Sequence, residues 1–313
     1  MVTDGDASPT QAWQVSDWNG RNGDRWVLHQ VRLDRMLRSF GAAAIAAAAP
    51  KEAERVIDIG CGAGATSIAL ARRIGPAGHV LGVDISERLI QRARATAPTG
   101  LPLEFQLADA ATADLGVGSF DLLFSRLGVM FFDDPVSAFS RLRTALRRGG
   151  RLAFVCWRKA SENDWVRLPM RAIADIVPPP PPPDPEAPGP FSFGDPARVE
   201  RILRHAGFTA IRLTPFDRVI PYGRGKTRAH ALDDGLALAF DVGPLARALK
   251  DQPEDVRRRA ADAVRAALAA RPGRRTNLID GAAWIVTAEN PGPQEPRAGM
   301  TGRSLFDTRN VQT

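Results

Sequence analysis

The chain has 313 residues, of which 44% are hydrophobic and 25% charged, a balance typical of globular proteins rather than disordered or fibrous ones. The formal net charge of +7 comes almost entirely from arginines interleaved with acidic residues, which predicts solvated helix faces and no nucleic-acid partner. The two cysteines predict no disulfide framework, the scattered histidines predict no metal site, and the longest apolar run, residues 42–49, is too short to span a membrane. Because no basic and apolar leader opens the sequence, we expect a cytoplasmic protein.

The first part of the chain combines a polar leader with a tryptophan-rich stretch. Residues 1–12 are small and polar, and we predict that they are flexible. Trp18 and Trp26 flank the start of a predicted helix at residues 25–49, which Pro50 ends. Because exposed tryptophans are costly, these side chains either fix the helix to the core or close over a ligand. The sequence favours neither interpretation over the other.

A strand and a glycine-rich turn begin the core. Residues 55–59 form an apolar run that contains Asp58, and Gly60, Gly62 and Gly64 follow it before a helical segment. Glycines permit positive φ and let backbone N–H groups approach a ligand, and the helix N-terminus behind them favours a negative group. The spacing G-x-G-x-G differs from the dinucleotide fingerprint G-x-G-x-x-G and from a phosphate-binding loop that ends in Gly-Lys. From this motif alone, a Rossmann-like turn for another ligand remains an alternative.

Further strands alternate with helices, which predicts a parallel sheet with right-handed crossovers. Asp84 ends one strand, Asp109 follows another, and Ser125 and Arg126 follow a third. Since ligands of open α/β sheets bind beyond the carboxyl ends of the strands, we expect these groups to meet near the glycine-rich turn. The predicted strands after the first are residues 79–84, 103–107, 120–124, 151–157, 208–213 and 281–288. The predicted helices after the turn include residues 86–97, 135–146, 165–177, 196–205 and most of 227–271.

This order of motifs resembles the class I S-adenosylmethionine (SAM)-dependent methyltransferases, whose first motif reads like Asp58-Ile59-Gly60-Cys61-Gly62-Ala63-Gly64. The resemblance implies a Rossmann-like α/β fold, with a seven-stranded, mostly parallel sheet, helices on both faces and helical lid insertions. It also implies that the seventh strand runs antiparallel between the fifth and the sixth.

The resemblance assigns SAM as the cofactor and gives the strand ends their roles. The glycine-rich loop with Asp58 would hold the methionine end of SAM, a carboxylate at position 84 the ribose, and one at position 109 the adenine. The segment after the fourth strand would lie where the methyl donor meets its acceptor. The complete predicted cofactor-binding set is Asp58, Gly60, Cys61, Gly62, Gly64, Asp84, Ile85, Asp109, Ala110, Ser125, Arg126 and Trp26.

Other segments are similar to the small-molecule branch of this class, near the methyltransferases of ubiquinone and menaquinone biosynthesis. They are WNG at 18–20, SRLGVMFF at 125–132, GPF at 189–191 and DP at 195–196. This similarity implies in-line methyl transfer to a small, apolar or aromatic metabolite. The protein would mainly position the two reactants and exclude water.

Three other functions remain open from the sequence. A nucleic-acid methyltransferase would suit the positive charge, but the Asn/Asp-Pro-Pro-aromatic motif of base-methylating enzymes is replaced by residues 125–128. An NAD(P) oxidoreductase is disfavoured by the glycine spacing. A SAM-binding protein without turnover is not distinguished, because His29, His230 and Tyr222 are the candidate general bases and none lies in a diagnostic motif. We therefore assign no catalytic residue.

The predicted organisation is a single methyltransferase domain at residues 13–292. It comprises an N-terminal helical cap, a Rossmann-like core and two lid insertions, followed by a flexible tail at residues 293–313. The cap is 13–50, the core is 51–157 completed by 195–220 and 280–290, and the insertions are 158–194 and 221–279. The proline run 178–183 within the first insertion predicts a stiff loop beside the active site.

Overall fold

The computed structural model describes residues 16–179, 181 and 184–292. The predicted flexible segments at 1–12 and 293–313, and part of the proline run, lie outside these residues. The strands are β1 (Arg55–Ile59), β2 (His79–Asp84), β3 (Leu103–Leu107), β4 (Phe120–Arg126), β5 (Leu146–Trp157), β6 (Thr209–Arg224) and β7 (Thr276–Glu289). The α-helices are α1 (Arg21–Ala48), α2 (Ala65–Ile74), α3 (Glu87–Thr96), α4 (Pro135–Ala145), α5 (Asp164–Ala172), α6 (Pro196–His205), α7 (Arg228–Asp241), α8 (Pro244–Ala248) and α9 (Glu254–Ala269).

All seven strands form one sheet in the order β3-β2-β1-β4-β5-β7-β6. The first five strands pair in parallel, and β7 pairs antiparallel with both β5 and β6. Central side chains such as Ile57, Phe124 and Phe154 are fully buried, because helices cover both faces of the sheet. The predicted Rossmann-like fold is confirmed, including the antiparallel seventh strand between the fifth and the sixth.

The last two strands are much longer than the sequence predicts. The predictions 208–213 and 281–288 fall within a hairpin-like ladder in which β6 spans 16 residues and β7 spans 14. Pro215 and Pro221 lie inside β6, opposite Trp284 and Leu278. Proline is tolerated there because β6 is the outermost strand and pairs on one side only. The strand therefore continues through both prolines, well beyond the predicted end at residue 213.

The helical segments also differ in extent from the predictions. The helix predicted at 165–177 ends as α5 at Ala172 and continues as turns, and Pro169 lies inside it. The region predicted as mostly helical at 227–271 contains three separate helices, α7 to α9. In α9 the buried residues Ala260, Val264 and Leu268 form one apolar stripe.

Helix α1 crosses the sheet and connects its two ends. Its last turn reaches the middle of β5, where Arg151 Nε donates to Ala48 O over 2.7 Å. The Phe40 ring lies 5.0 Å from that of Trp157, the last residue of β5. The N-terminal part of α1 reaches α3 through an ion pair between Asp24 and Arg88. Among the described helices, α1 included, none combines the length and apolar character that a bilayer crossing requires.

Candidate active site

The glycine-rich loop after β1 adopts a conformation that requires glycine. Gly60, Gly62 and Gly64 have φ values of +64°, +57° and +87°. A Cβ on Gly60 would lie only 2.7 Å from the Cα of Gly128, so two backbone segments touch here. The Gly60 amide donates to Val83 O over 2.9 Å, which joins the loop to the end of β2. The loop is thus held at the carboxyl edge of the sheet with α2 directly behind it.

Asp58 is completely buried beneath this loop. Its Oδ2 accepts hydrogen bonds from the hydroxyls of Thr66 (2.7 Å) and Ser67 (2.6 Å) in the first turn of α2. Its Oδ1 is buried and has no hydrogen-bond partner among the described residues. Burial raises the pKa of Asp58 to about 6, against the opposing effect of the two hydroxyls and of Arg126. A buried carboxylate oxygen without a donor is the group that an ammonium ligand would satisfy.

The raised pKa of Asp58 predicts a pH-dependent stability of the ligand-free protein. A pKa of about 6 in the folded state against 3.8 means that the folded state binds this proton more tightly. The resulting stabilisation is present below pH 4 and is lost as the pH rises through 6, a change of about 3 kcal/mol. We expect Asp58→Asn, which keeps an acceptor for Thr66 and Ser67, to be more stable than the parent at pH 8 and equally stable at pH 4.

Urea unfolding of both proteins between pH 4 and pH 8 measures this difference. Asp262→Asn on the exposed face of α9 serves as the control and should leave the curve of free energy against pH unchanged. A variant at position 58 that is less stable than the parent at pH 8 would show that the charged carboxylate stabilises the fold.

Asp84 at the end of β2 touches the same loop. Its Oδ2 accepts from the Gly62 amide over 2.7 Å, and its Oδ1 accepts from the Ser86 amide over 2.9 Å. The carboxyl group is nine-tenths buried. Burial raises its pKa, and the backbone N–H groups of Ser86, Gly62 and Ile85 act against that shift. These hydrogen bonds fix the Asp84 carboxylate beside the glycine-rich loop.

The third acidic residue lies one strand further along the same edge. Asp109 follows β3, is half-buried, and accepts from the Ala111 amide over 2.8 Å. Ala110 beside it is buried. The Ala108 amide donates to Asp84 O over 3.0 Å, so the ends of β2 and β3 are directly joined. The structure therefore brings the three predicted acids and the glycine-rich loop to one edge of the sheet.

Ser125 and Arg126, which the sequence predicts after the fourth strand, are the last two residues of β4, and they have partners that the sequence did not indicate. The Ser125 hydroxyl is fully buried, donates to Ile59 O over 2.7 Å and accepts from the Gly128 amide over 3.2 Å. It therefore braces β4 against the glycine-rich loop. Arg126 Nη2 donates to Asp34 Oδ1 of α1 over 3.0 Å.

Cys61 lies inside the loop with 2% of its surface exposed. Burial raises the pKa of its thiol well above the ordinary value, and Asp84 and Asp58 add to the effect. Since the thiolate is the nucleophilic form, this cysteine is chemically inert and fills space at the turn.

The segment at residues 16–20, which contains Trp18 and is called the leader below, covers the turn that follows Asp84. Trp18 O accepts from the Ser86 hydroxyl over 2.8 Å, and Asn19 bridges the turn by donating to Ile85 O (3.1 Å) and accepting from the Glu87 amide (2.9 Å). The Trp18 ring lies 5.7 Å from Trp26 and 5.6 Å from Phe131, which follows β4. These contacts fix the start of α1 to the core, and the interpretation that the tryptophans close over a ligand stays a prediction.

The candidate bases are spread over different surroundings. His29 Nε2 lies 2.9 Å from Asp241 Oδ2 at the end of α7, and burial together with Arg32 and Arg25 lowers its pKa. Tyr222 is buried in β6 and burial raises the pKa of its hydroxyl. His230 is exposed on α7. None of these three residues has surroundings that identify it as a general base.

Several residues of the site were missed from the sequence. Asn19 and Gly128 lie in the segments 18–20 and 125–132 that resemble the small-molecule branch, but the sequence did not indicate their contacts, which are with residues more than 60 positions away. Thr66 and Ser67 could have been found, because hydroxyl residues in the first helical turn after the loop are the natural partners of a buried acid below it.

The residues present fit SAM in charge and in hydrogen-bonding capacity. The unpartnered Asp58 Oδ1 suits the ammonium group, and Asp84 and Asp109 suit hydroxyl and amino donors. No group of three or more His, Cys, Asp and Glu side chains within residues 16–179, 181 and 184–292 is arranged to hold a metal ion.

Sequence comparison points to a methyltransferase. The family model described as a methyltransferase domain matches residues 56–150, which hold the glycine-rich loop and β1 to β4. Nocamycin O-methyltransferase of Saccharothrix syringae is 31% identical over 173 residues, covering 52% of this chain and 62% of that protein. Aklanonic acid methyltransferase DauC of Streptomyces sp. (strain C5) is 40% identical over 107 residues, covering 34% and 49%. The matches thus span less than two thirds of either relative.

Solved structures show the same fold at low sequence identity. Phosphoethanolamine N-methyltransferase 2 of Haemonchus contortus superposes with a TM-score of 0.52 at 15% identity, over 92% of this chain and 61% of that one. The YcgJ protein of Bacillus subtilis also gives a TM-score of 0.52, at 17% identity, over 81% and 98%. The fold is thus the one found in these SAM-dependent methyltransferase structures, and the segment at residues 56–150 matches a methyltransferase domain.

Proposed function

We propose that the chain transfers a methyl group from SAM to a small, apolar or aromatic metabolite. The observation that carries this proposal is the edge formed by Asp58, the glycine-rich loop, Asp84 and Asp109, which offers one partner for each part of SAM. The names of the two relatives, methyltransferases for nocamycin and aklanonic acid, support a small-molecule acceptor.

The chain would work mainly by positioning and by excluding water. Bound SAM supplies a methyl group activated by its sulfonium. The loop and the three acids would hold the donor, while the leader at residues 16–20 and α1 close over the edge. The aromatic side chains around Trp157, Trp165 and Phe191, in contact at the far end of β5, are suited to an apolar acceptor.

The proposed organisation is a single domain at residues 13–292, in which the cap, the core and the two lid insertions act together. A contact between the first insertion and the core supports a single domain. The Ser192 hydroxyl, in the loop after the proline run, donates to Met130 O beside β4 over 2.7 Å. The proposal also keeps the cytoplasmic location expected from the sequence, which cell fractionation would test.

A thermal-shift comparison tests the cofactor. A ligand that binds the folded state raises the melting temperature, so S-adenosylhomocysteine (SAH) should raise it and NADH should not. Stabilisation by NADH alone would contradict the proposal. Incorporation of labelled methyl groups from SAM into purified RNA and DNA but into none of a panel of phenolic and carboxylic metabolites would favour a nucleic-acid methyltransferase instead.

The leader gives a further prediction about cofactor retention. Asn19→Ala removes two hydrogen bonds to the turn that carries Asp84, each worth about 1 kcal/mol. We expect SAH to bind about tenfold more weakly, through faster dissociation, in stopped-flow or calorimetric measurements. Gln91→Ala, which removes an exposed amide from the outer face of α3, should leave SAH binding unchanged. Equal affinities of the Asn19 variant and the parent would mean that the leader only fixes α1.

A further inference from the structure

Arg126 is the starting point of a row of polar side chains between β4 and α1. Its Nη2 donates to Asp34 Oδ1 over 3.0 Å, and Asp34 Oδ2 in turn accepts from Gln30 Nε2 over 2.7 Å. The side chain of Arg126 is 13% exposed and that of Asp34 is 28% exposed. Asp34 and Gln30 therefore hold the guanidinium from the α1 side.

The row lies next to the amino-acid end of the candidate cofactor site. A Cβ built on Gly41 of α1 would lie 3.2 Å from Arg126 Cδ and 3.5 Å from Thr66 Cγ2. The stem of Arg126 thus passes beside Thr66, whose hydroxyl binds Asp58. The positive charge of Arg126 also lowers the pKa of Asp58, which agrees with this proximity.

The two charged groups complement a zwitterion. Asp58 is fully buried and offers Oδ1 without a donor, while Arg126 uses only Nη2 for a hydrogen bond within the described part of the chain. A guanidinium has five N–H donors in a fixed plane and is well suited to a carboxylate. An amino acid group has an ammonium and a carboxylate on one carbon, so neighbouring negative and positive side chains match it.

We propose that Arg126, positioned by Asp34, binds the carboxylate of the cofactor's amino acid moiety while Asp58 receives the ammonium. This inference rests on the proposed function. It makes Arg126 a residue that recognises the amino acid end of the cofactor, and Asp34 a positioning residue that keeps the guanidinium in place.

Calorimetry with two ligands tests the inference. SAH carries the amino acid group, and 5′-methylthioadenosine carries the same nucleoside and a thioether without it. Loss of a charge-assisted hydrogen bond predicts that Arg126→Gln weakens SAH binding about 10- to 100-fold. Binding of methylthioadenosine should change by less than about twofold, since it makes no contact of this kind. Asp34→Asn should lower the SAH affinity selectively as well, by a smaller factor.

Two further variants keep the result interpretable. Arg126→Lys retains the charge and should recover part of the SAH affinity. Arg147→Gln breaks an ion pair with Asp121 near the start of β4, away from the site, and should affect neither ligand. If Arg126→Gln weakens both ligands equally or leaves SAH unaffected, the pair with Asp34 is only a structural brace and the inference is wrong. If the parent protein binds neither ligand, the proposed function itself fails.

Discussion

Asp84→Asn is expected to weaken SAH binding about 100-fold without unfolding the protein. Both oxygens of Asp84 accept backbone N–H groups, from Gly62 and Ser86, and the same carboxylate is proposed to receive the ribose hydroxyls. Hydrogen bonds to a charged group contribute about 1.5–3 kcal/mol each, and about 2.7 kcal/mol corresponds to 100-fold in affinity. An amide has only one acceptor oxygen, so it also loosens the glycine-rich loop.

Calorimetric titration with SAH measures this effect. Methylthioadenosine should lose affinity by a similar factor, because the ribose is common to both ligands. This distinguishes Asp84 from Arg126, whose replacement is expected to affect SAH alone. Glu104→Gln on the exposed side of β3 is a matched control and should bind both ligands normally. An Asp84 variant with the parent's SAH affinity and melting temperature would show that the ribose assignment is wrong.

Gly128→Ala is expected to lower the free energy of unfolding by about 3 kcal/mol. A Cβ at this position would lie 2.8 Å from Ile59 O and 2.9 Å from the Cα of Gly60, and both are backbone atoms. Neither can move without disturbing β1 or the glycine-rich loop, so the clash resembles overpacking of a rigid core. The Ser125 hydroxyl, which braces the same contact, would be displaced as well.

Gly189→Ala provides the matched control for this measurement. A Cβ on Gly189 would meet nothing within 4 Å, and its φ is not in the positive range that strains L-residues. We therefore expect this variant to change the free energy of unfolding by less than about 1 kcal/mol. Urea unfolding measures the free energy of unfolding of both variants. Equal losses would mean that the contact between Gly60 and Gly128 is not close in solution.

Much of the site was predictable because its motifs are short, and because the topology of a parallel sheet brings the ends of its strands together. The apolar run before Asp58, the glycine spacing after it and the acid that ends β2 are each readable in a few residues. Parallel strands bring their carboxyl ends to one edge, so separate signals predict one site. The structure confirms the sheet that this rule requires.

The sequence by itself therefore determined the Rossmann-like core and the edge that carries Asp58, Asp84 and Asp109. Only the tertiary structure decided how far β6 extends. A strand at the edge of the sheet tolerates proline and a central strand does not, and β6 lies at the edge. It also decided which groups surround the cofactor edge. Asn19 meets residues 85–87, and Asp34 meets Arg126, across 66 and 92 positions of the chain. Such contacts depend on how α1 crosses the sheet, and no local pattern of residues specifies that crossing.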